Sequence, residues 1–416
     1  MRTKKKRLTA ILLSICLLCG LMPGMGTVAY AQGTGAIRPG ADSIKKGDTV
    51  YFGKGERAWQ VLSTNGNGGT YSDGETTVDS NSALFLLSQD GLMQLWFDDS
   101  ESMSNNYSDS VLRSYLNNTN VKINGGVLEP NSGNVSEYFS DAEWEKILKT
   151  TKNAASTEIL GMDCDDPGLN GDLLFALSAN ELKDYLGYTD DSNTWKAAGL
   201  GDKAWWLRSA VTDTTETVGA VHNLGNRIPV ICRSRNVWAR PAFNLNLDSV
   251  LFTSADEGGK SSSDVVGEIS EIQSYVDSDT GNAWKLTLKD NSRNSFSVGT
   301  TSAENNKLTV AYSGAITGTN EYISVMATDD SGAYTHYGRV AQLEAEEQSS
   351  GAVEIDLTGI DMTGKKLYIF NEQYNGDKMT DFASELKEVS LTKNAYAIIN
   401  SLTNVNTDNP IHVNFH

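Results

Sequence analysis

Trp205-Trp206-Leu207-Arg208-Ser209, followed further on by Val237-Trp238-Ala239-Arg240-Pro241-Ala242-Phe243-Asn244-Leu245, is the stretch on which the fold turns. Both segments read as strands, the second returning beside the first, and together they predict the closing hairpin of a domain. Trp205, Trp206 and Trp238 each bring a large apolar body with one N–H donor, which suits a hairpin packed against helices. Arg208 and Arg240 bracket it. A guanidinium offers five donors in a fixed fork, enough to tie loop carbonyls or a carboxylate together. Strand alternation puts Trp206 and Arg208 on one face, so Arg208 is expected against tryptophan surface, holding the hairpin together with Arg240 and Pro241.

Working outward, Asp48–Phe52 and Arg57–Leu62 read as a hairpin around Gly53-Lys54-Gly55-Glu56, and Ala83–Ser88 as a buried strand. Helical spacing of Val111, Leu112, Tyr115 and Leu116 predicts a helix. Ser140 with Glu143 forms a capping box that predicts a second over Phe139–Leu148, and Ala179–Leu186 reads as a third. These elements make residues 41–252 an α+β domain. The small, polar run from Thr253 to Val266 has linker composition. From 267 to 391 short strands recur between turn residues, the pattern of an antiparallel, immunoglobulin-like β-sandwich. Residues 392–416 read as a tail or the start of a further module.

The first 31 residues read as a secretory signal peptide. Arg2, Lys4, Lys5, Lys6 and Arg7 precede an apolar run from Leu8 to Leu21 that is too short to span a bilayer, and Ala29-Tyr30-Ala31 offers a cleavage site. The mature chain would start at Gln32. It would keep 29 basic against 53 acidic residues, a balance of −24. Such a charge repels nucleic acid and anionic surfaces. No other segment is apolar enough for a membrane span. These features place the chain outside the cell or on its surface, in the style of a Gram-positive bacterium. Of four cysteines, only Cys164 and Cys232 remain after cleavage. They would form one disulfide or stay as buried thiols, and either way the core must hold the fold.

Trp59-Gln60-Val61-Leu62, Leu84-Phe85-Leu86-Leu87-Ser88, Val111–Asn117, Leu174-Phe175-Ala176-Leu177-Ser178, Trp205–Ser209 and Ala239–Phe243 occur in the order of a domain-of-unknown-function family common in secreted proteins of Firmicutes. The chain resembles that family over most of residues 45–250. The family is itself distantly similar to the formylglycine-generating (sulfatase-modifying) enzyme and C-type-lectin fold. The second half is similar to sandwich modules of surface proteins. The resemblance implies a C-type-lectin-like domain whose ligand surface lies between the two tryptophan segments. Asp213, His222, Asn223, Asn226, Arg227, Arg233 and Arg235 are its candidate contacts, on loops carried by a rigid scaffold. A thiol oxidase of the formylglycine-generating type needs two close reactive cysteines near the end of its domain. Only Cys232 lies in that stretch.

Other chemistry is thin. No histidine pair has zinc spacing. Asp98-Asp99-Ser100-Glu101 and Asp163-Cys164-Asp165-Asp166 offer oxygens to calcium, but Pro167 and Leu174 stand where a calcium loop needs ligands, so no cofactor is assigned. The sequence therefore predicts a non-enzymatic extracellular binding or adhesion protein, whose partner would be a host protein, a glycan or a cell-wall component. A degenerate oxidase or an unrecognised hydrolase is the alternative, and a structural wall-associated stalk is a third reading.

Overall fold

The computed structural model describes residues 35–389 except 99–102, 118–120, 124–125, 129–134, 160–161, 189–199, 202, 223–226, 235, 261–264, 279–280 and 346–348. The signal-peptide segment, the expected tail and three of the candidate ligand residues (Asn223, Asn226 and Arg235) lie outside the described residues. Residues 35–389 fall within one compact unit.

The apolar run Ala83–Ser88 is the middle of the first core. All six residues are buried, because strands cover both edges and side chains pack on both faces. Ala58–Ser63 pairs with one edge and Pro241–Asn246 with the other, both antiparallel. Thr49–Tyr51 extends the ladder beyond Ala58–Ser63. A second, seven-stranded sheet contains Ala204–Val211, Thr217–Val221 and Arg227–Ile231 in sequence, with Met162–Asp166 on the other side. Tryptophans 59, 205 and 206 are fully buried.

The described residues are mostly β, with 47% of them in strands and 12% in helices. This corrects the expected α+β C-type-lectin-like fold. The capping signals are real, but the helices they start are short: Val111–Leu116, Asp141–Trp144 and Ala179–Leu186. Ser140 and Glu143 close their capping box, yet the chain leaves the helix after Trp144. Ile147 and Leu148 then pair with Leu245 and Asn244 in a strand. Burial in the sheet outweighs the weak propensity of a single capped turn. The closing hairpin is corrected too. Ala204–Val211 and Val237–Ala239 run parallel, and the hairpin partner of Ala204–Val211 is Thr217–Val221.

The second half is not purely antiparallel. Ala283–Lys289 lies parallel to Thr49–Tyr51 along one half of its edge and parallel to Asp381–Ala383 along the other. Val250–Ala255 covers its opposite edge, antiparallel. Thr253–Ala255, read as the start of a linker, are thus the second half of a strand. All three are buried there, and the Thr253 and Ser43 hydroxyls lie 2.8 Å apart. One ladder therefore continues from the first core into the second half. There, Glu321–Thr328 and Lys366–Gln373 are buried on both faces. Ile323, Val325, Leu367 and Ile369 pack under a three-stranded sheet, while Met326 and Phe370 face Ile37 and Phe252.

Asp48 secures the junction. It is fully buried, and its carboxylate accepts from the backbone N–H (3.1 Å) and side-chain amide (2.9 Å) of Asn282, from Trp284 Nε1 (3.0 Å) and from the Lys45 N–H (2.9 Å). The Arg38 guanidinium stacks 5.0 Å from the Trp284 ring while pairing with Asp277 at 2.7 Å. Asp48→Ala strands the Trp284 and Asn282 donors in the core and should lower stability by about 3 kcal/mol or more. Urea unfolding followed separately by tryptophan fluorescence and backbone circular dichroism should show a single transition shifted to lower denaturant. Two separated transitions would contradict a shared ladder.

Candidate functional site

Arg208 reaches the centre of the first half from Ala204–Val211, where the ladder with Thr217–Val221 shifts register between Trp206 and Ala210. Its guanidinium donates to the Ala176 carbonyl (2.8 Å), the Pro167 carbonyl (3.2 Å) and Glu181 Oε2 (2.5 Å). The aromatic surface beside it is Phe175, with the ring centroid at 5.6 Å, and not tryptophan. Arg240 takes the tryptophan face instead, 4.9 Å from the Trp205 ring, and donates to the Ser88 carbonyl. Glu181 closes the capping box of Ala179–Leu186, and Lys152 and Asn67 each donate to its Oε1 at 3.0 Å. Burial alone would push the Glu181 carboxyl up, but Arg208 and Lys152 outweigh it and hold it at about 2, below the ordinary 4.5.

Asp166 lies beside this pair. Its carboxylate accepts from the Ala179 and Asn180 N–H groups at 3.2 and 2.9 Å and from the Ser209 hydroxyl, so it seals the first turn of the helix. On the outer side opens a cleft of about 500 Å³, lined by Asn105, Asn106, Tyr107, Ser156, Asp165 and Asp166 among others. The Asn105 amide donates to the carbonyls of Val211, Thr214 and Thr217 and so pins the neighbouring turn. Ser156 donates to Asp165 Oδ1 at 2.9 Å across the hairpin of Ala155–Ile159 and Met162–Asp166.

The candidate contacts from the sequence do not converge. Asp213 and Arg233, both exposed, stand at one end of Thr217–Val221. His222 and Arg227 stand at the other end, where Val221 pairs with Arg227. Five residues of strand separate the two pairs, roughly 15 Å.

The cysteines are kept apart by the sheet. Cys164 pairs with Val211, while the Cys232 N–H donates to the Glu216 carbonyl, two strands further on. Three strand spacings, roughly 14 Å, lie between them, beyond the reach of a disulfide. Both are buried thiols. Burial, helped by Asp98, pushes the Cys232 thiol up to about 12. Asp163 and Asp165 point outward from their strand while Cys164 and Asp166 point inward, so alternation disperses the oxygens that a calcium loop would gather. Among the described residues no cluster of three or more metal-ligating side chains forms, and no helix is long and apolar enough to cross a membrane.

The cleft, Arg208 and Glu181 sit inside a segment with a recognisable signature. Residues 81–247 match DUF6273, a domain of unknown function. No curated protein and no solved structure matches the chain.

The sequence missed the cleft because its lining comes from four segments, and Asn105, Asn106 and Ser156 carry no motif of their own. The depressed Glu181 carboxyl gives a pH signature. Its contribution is fully present above pH ~4.5 and is lost as pH falls through about 2. Between about pH 5 and pH 2 the wild type should lose on the order of 3 kcal/mol more stability than Glu181→Gln. Denaturant titrations at several pH values measure this, and parallel profiles would contradict it.

Proposed function

We propose that the chain is an exported bacterial surface protein that binds an uncharged ligand rich in hydroxyl and amide groups, a glycan of a host surface or cell wall, in the cleft between Asn105–Tyr107, Ala154–Ser156 and Asp165–Pro167. The cleft itself carries the reading. Amide, hydroxyl and carboxylate groups converge in it, and they stand on a floor fixed by hydrogen bonds that Arg208 and Ser209 donate and the Asp166 carboxylate accepts. A rigid floor with polar groups at its rim is what orients a polar ligand. The acidic lining and the overall negative charge disfavour polyanions.

Export rests on the basic, apolar and small-residue sequence of the first 31 residues. The second half, tied into the same ladder, would hold the cleft away from the surface that carries it. The oxidase alternative loses its motive, since Cys164 and Cys232 are separated by two intervening strands.

A glycan array followed by calorimetry on the best hit tests the reading. Asp165 is exposed on its strand, so Asp165→Ala should leave the melting temperature in place and weaken binding at least tenfold, about 1.4 kcal/mol. A silent array, or a glycan whose affinity Asp165→Ala leaves unchanged, would overturn the proposal.

A further inference from the structure

Two lysines and two carboxylates are enclosed together in the second half. Lys260, Lys285, Glu372 and Asp381 are each at most 2% exposed. Their placement follows from the sheet. Lys285 lies on Ala283–Lys289, whose Thr287 pairs with Asp381, and Glu372 pairs with Ala383 on the other side of the same short strand. Lys260 enters from the turn after Val250–Ala255. Gly259 permits that turn, since a Cβ there would meet the Ala255 carbonyl at 2.3 Å. Phe252, Tyr337 and Tyr374 surround the Lys260 amine at 5.0, 5.8 and 5.7 Å.

The contacts within the cluster are unequal. Glu372 Oε2 accepts from the hydroxyls of Tyr337 and Ser324, both at 2.7 Å, which leaves Oε1 facing the Lys260 amine. Asp381 Oδ1 accepts from the Asn375 N–H at 2.7 Å. Asp381 Oδ2 stands at ion-pair distance from both Lys260 and Lys285, the latter at 2.7 Å, yet neither amine meets it in hydrogen-bond geometry. Burial pushes the Lys285 amine down to about 8 despite Asp381, a measure of how poorly this space solvates a second ammonium. Attraction between buried charges repays their desolvation only when the hydrogen bonds are good. For Asp381 Oδ2 they are not.

We propose that Lys260 and Asp381 condense into an intramolecular amide cross-link, with Glu372 carrying the protons. The Lys260 ammonium gives a proton to Glu372 Oε1, and the freed amine attacks Cγ of Asp381. The Nζ–Cγ bond forms and the Cγ–Oδ2 bond breaks. Glu372 delivers its proton to the departing oxygen, takes the second proton from nitrogen and delivers that one too. One ammonium and one carboxylate become one amide and one water, with no change of oxidation state and no co-reactant. Lys285, beside Oδ2, stabilises the negative charge that builds on the carboxyl during attack. Holding amine and carboxyl in contact replaces a bimolecular encounter with an intramolecular one, and the product removes two poorly solvated charges from the interior. The link would join the turn that enters the second half to one of its last strands, covalently closing the shared ladder.

Intact mass spectrometry of the purified protein tests this. The mass should fall short of the sequence by one water. A tryptic map should contain one branched species joining the Lys260 and Asp381 peptides, with no cleavage after Lys260. Lys260→Arg and Glu372→Gln should restore the full mass. Wild-type protein at full mass with linear Lys260 and Asp381 peptides would overturn the proposal, and this outcome does not depend on either variant folding. A branch at Lys285 in place of Lys260 would overturn the assignment of the nucleophile.

Discussion

The strand Ala283–Lys289 is the constraint on which the rest depends. It has Val250–Ala255 along one edge and, along the other, first Thr49–Tyr51 and then Asp381–Ala383. Both partners on that second edge are parallel to it, so their pairing needs long excursions of chain between them. Trp284, Leu286 and Leu288 bury their side chains in the core that also holds Trp59 and Phe243. A tryptophan placed there needs an acceptor for its N–H, and Asp48 supplies it from the other half of the chain. The carboxylate in turn is tolerable in the interior because four donors surround it. The first half thus has its outer strand completed by the second half, and the two share one ladder.

Buried charge is handled in two ways on this frame. Around Arg208 the geometry is satisfied: a planar fork meets two carbonyls and a carboxylate, and Glu181 has donors on both oxygens. That arrangement stiffens the floor of the cleft and leaves its rim to a ligand. Around Asp381 the geometry is poor, with two amines converging on one oxygen. The first arrangement is suited to persist as an ion pair, and the second to react. Both lie on the ladder that Ala283–Lys289 completes or on the sheet packed against it.

Local pattern made much of this legible. The apolar run at Ala83–Ser88, the hairpin around Gly53 and Gly55, and the capping box of Ser140 and Glu143 all occur where the residues indicate. What misled was length and partnership. A capping box predicts where a helix starts and says little about where it stops, so Ile147 and Leu148, expected to end the helix, instead open the strand Ile147–Lys152. Thr253 and Ser254 look like linker by composition, and only their distant partners show them to be buried. Alternation placed Arg208 and Trp206 on one face, but the register shift in that strand brought Phe175 to the guanidinium. The Lys260 cluster was beyond local reading, since its members come from four segments and the lysine sits in a run of glycine and serine. The segment Phe370–Asp377 contributes Glu372 and Tyr374 to the cluster.

Hydrogen–deuterium exchange at the junction tests the shared ladder most directly. If Ala283–Lys289 belongs to both halves, the amides of Thr49–Tyr51 and of Ala283–Lys289 should exchange only through global unfolding. They should then be as protected as those of Ala83–Ser88. Exchange at the junction that is orders of magnitude faster than in Ala83–Ser88, with both flanking cores still protected, would show two bodies that part at Trp284 and would contradict the account.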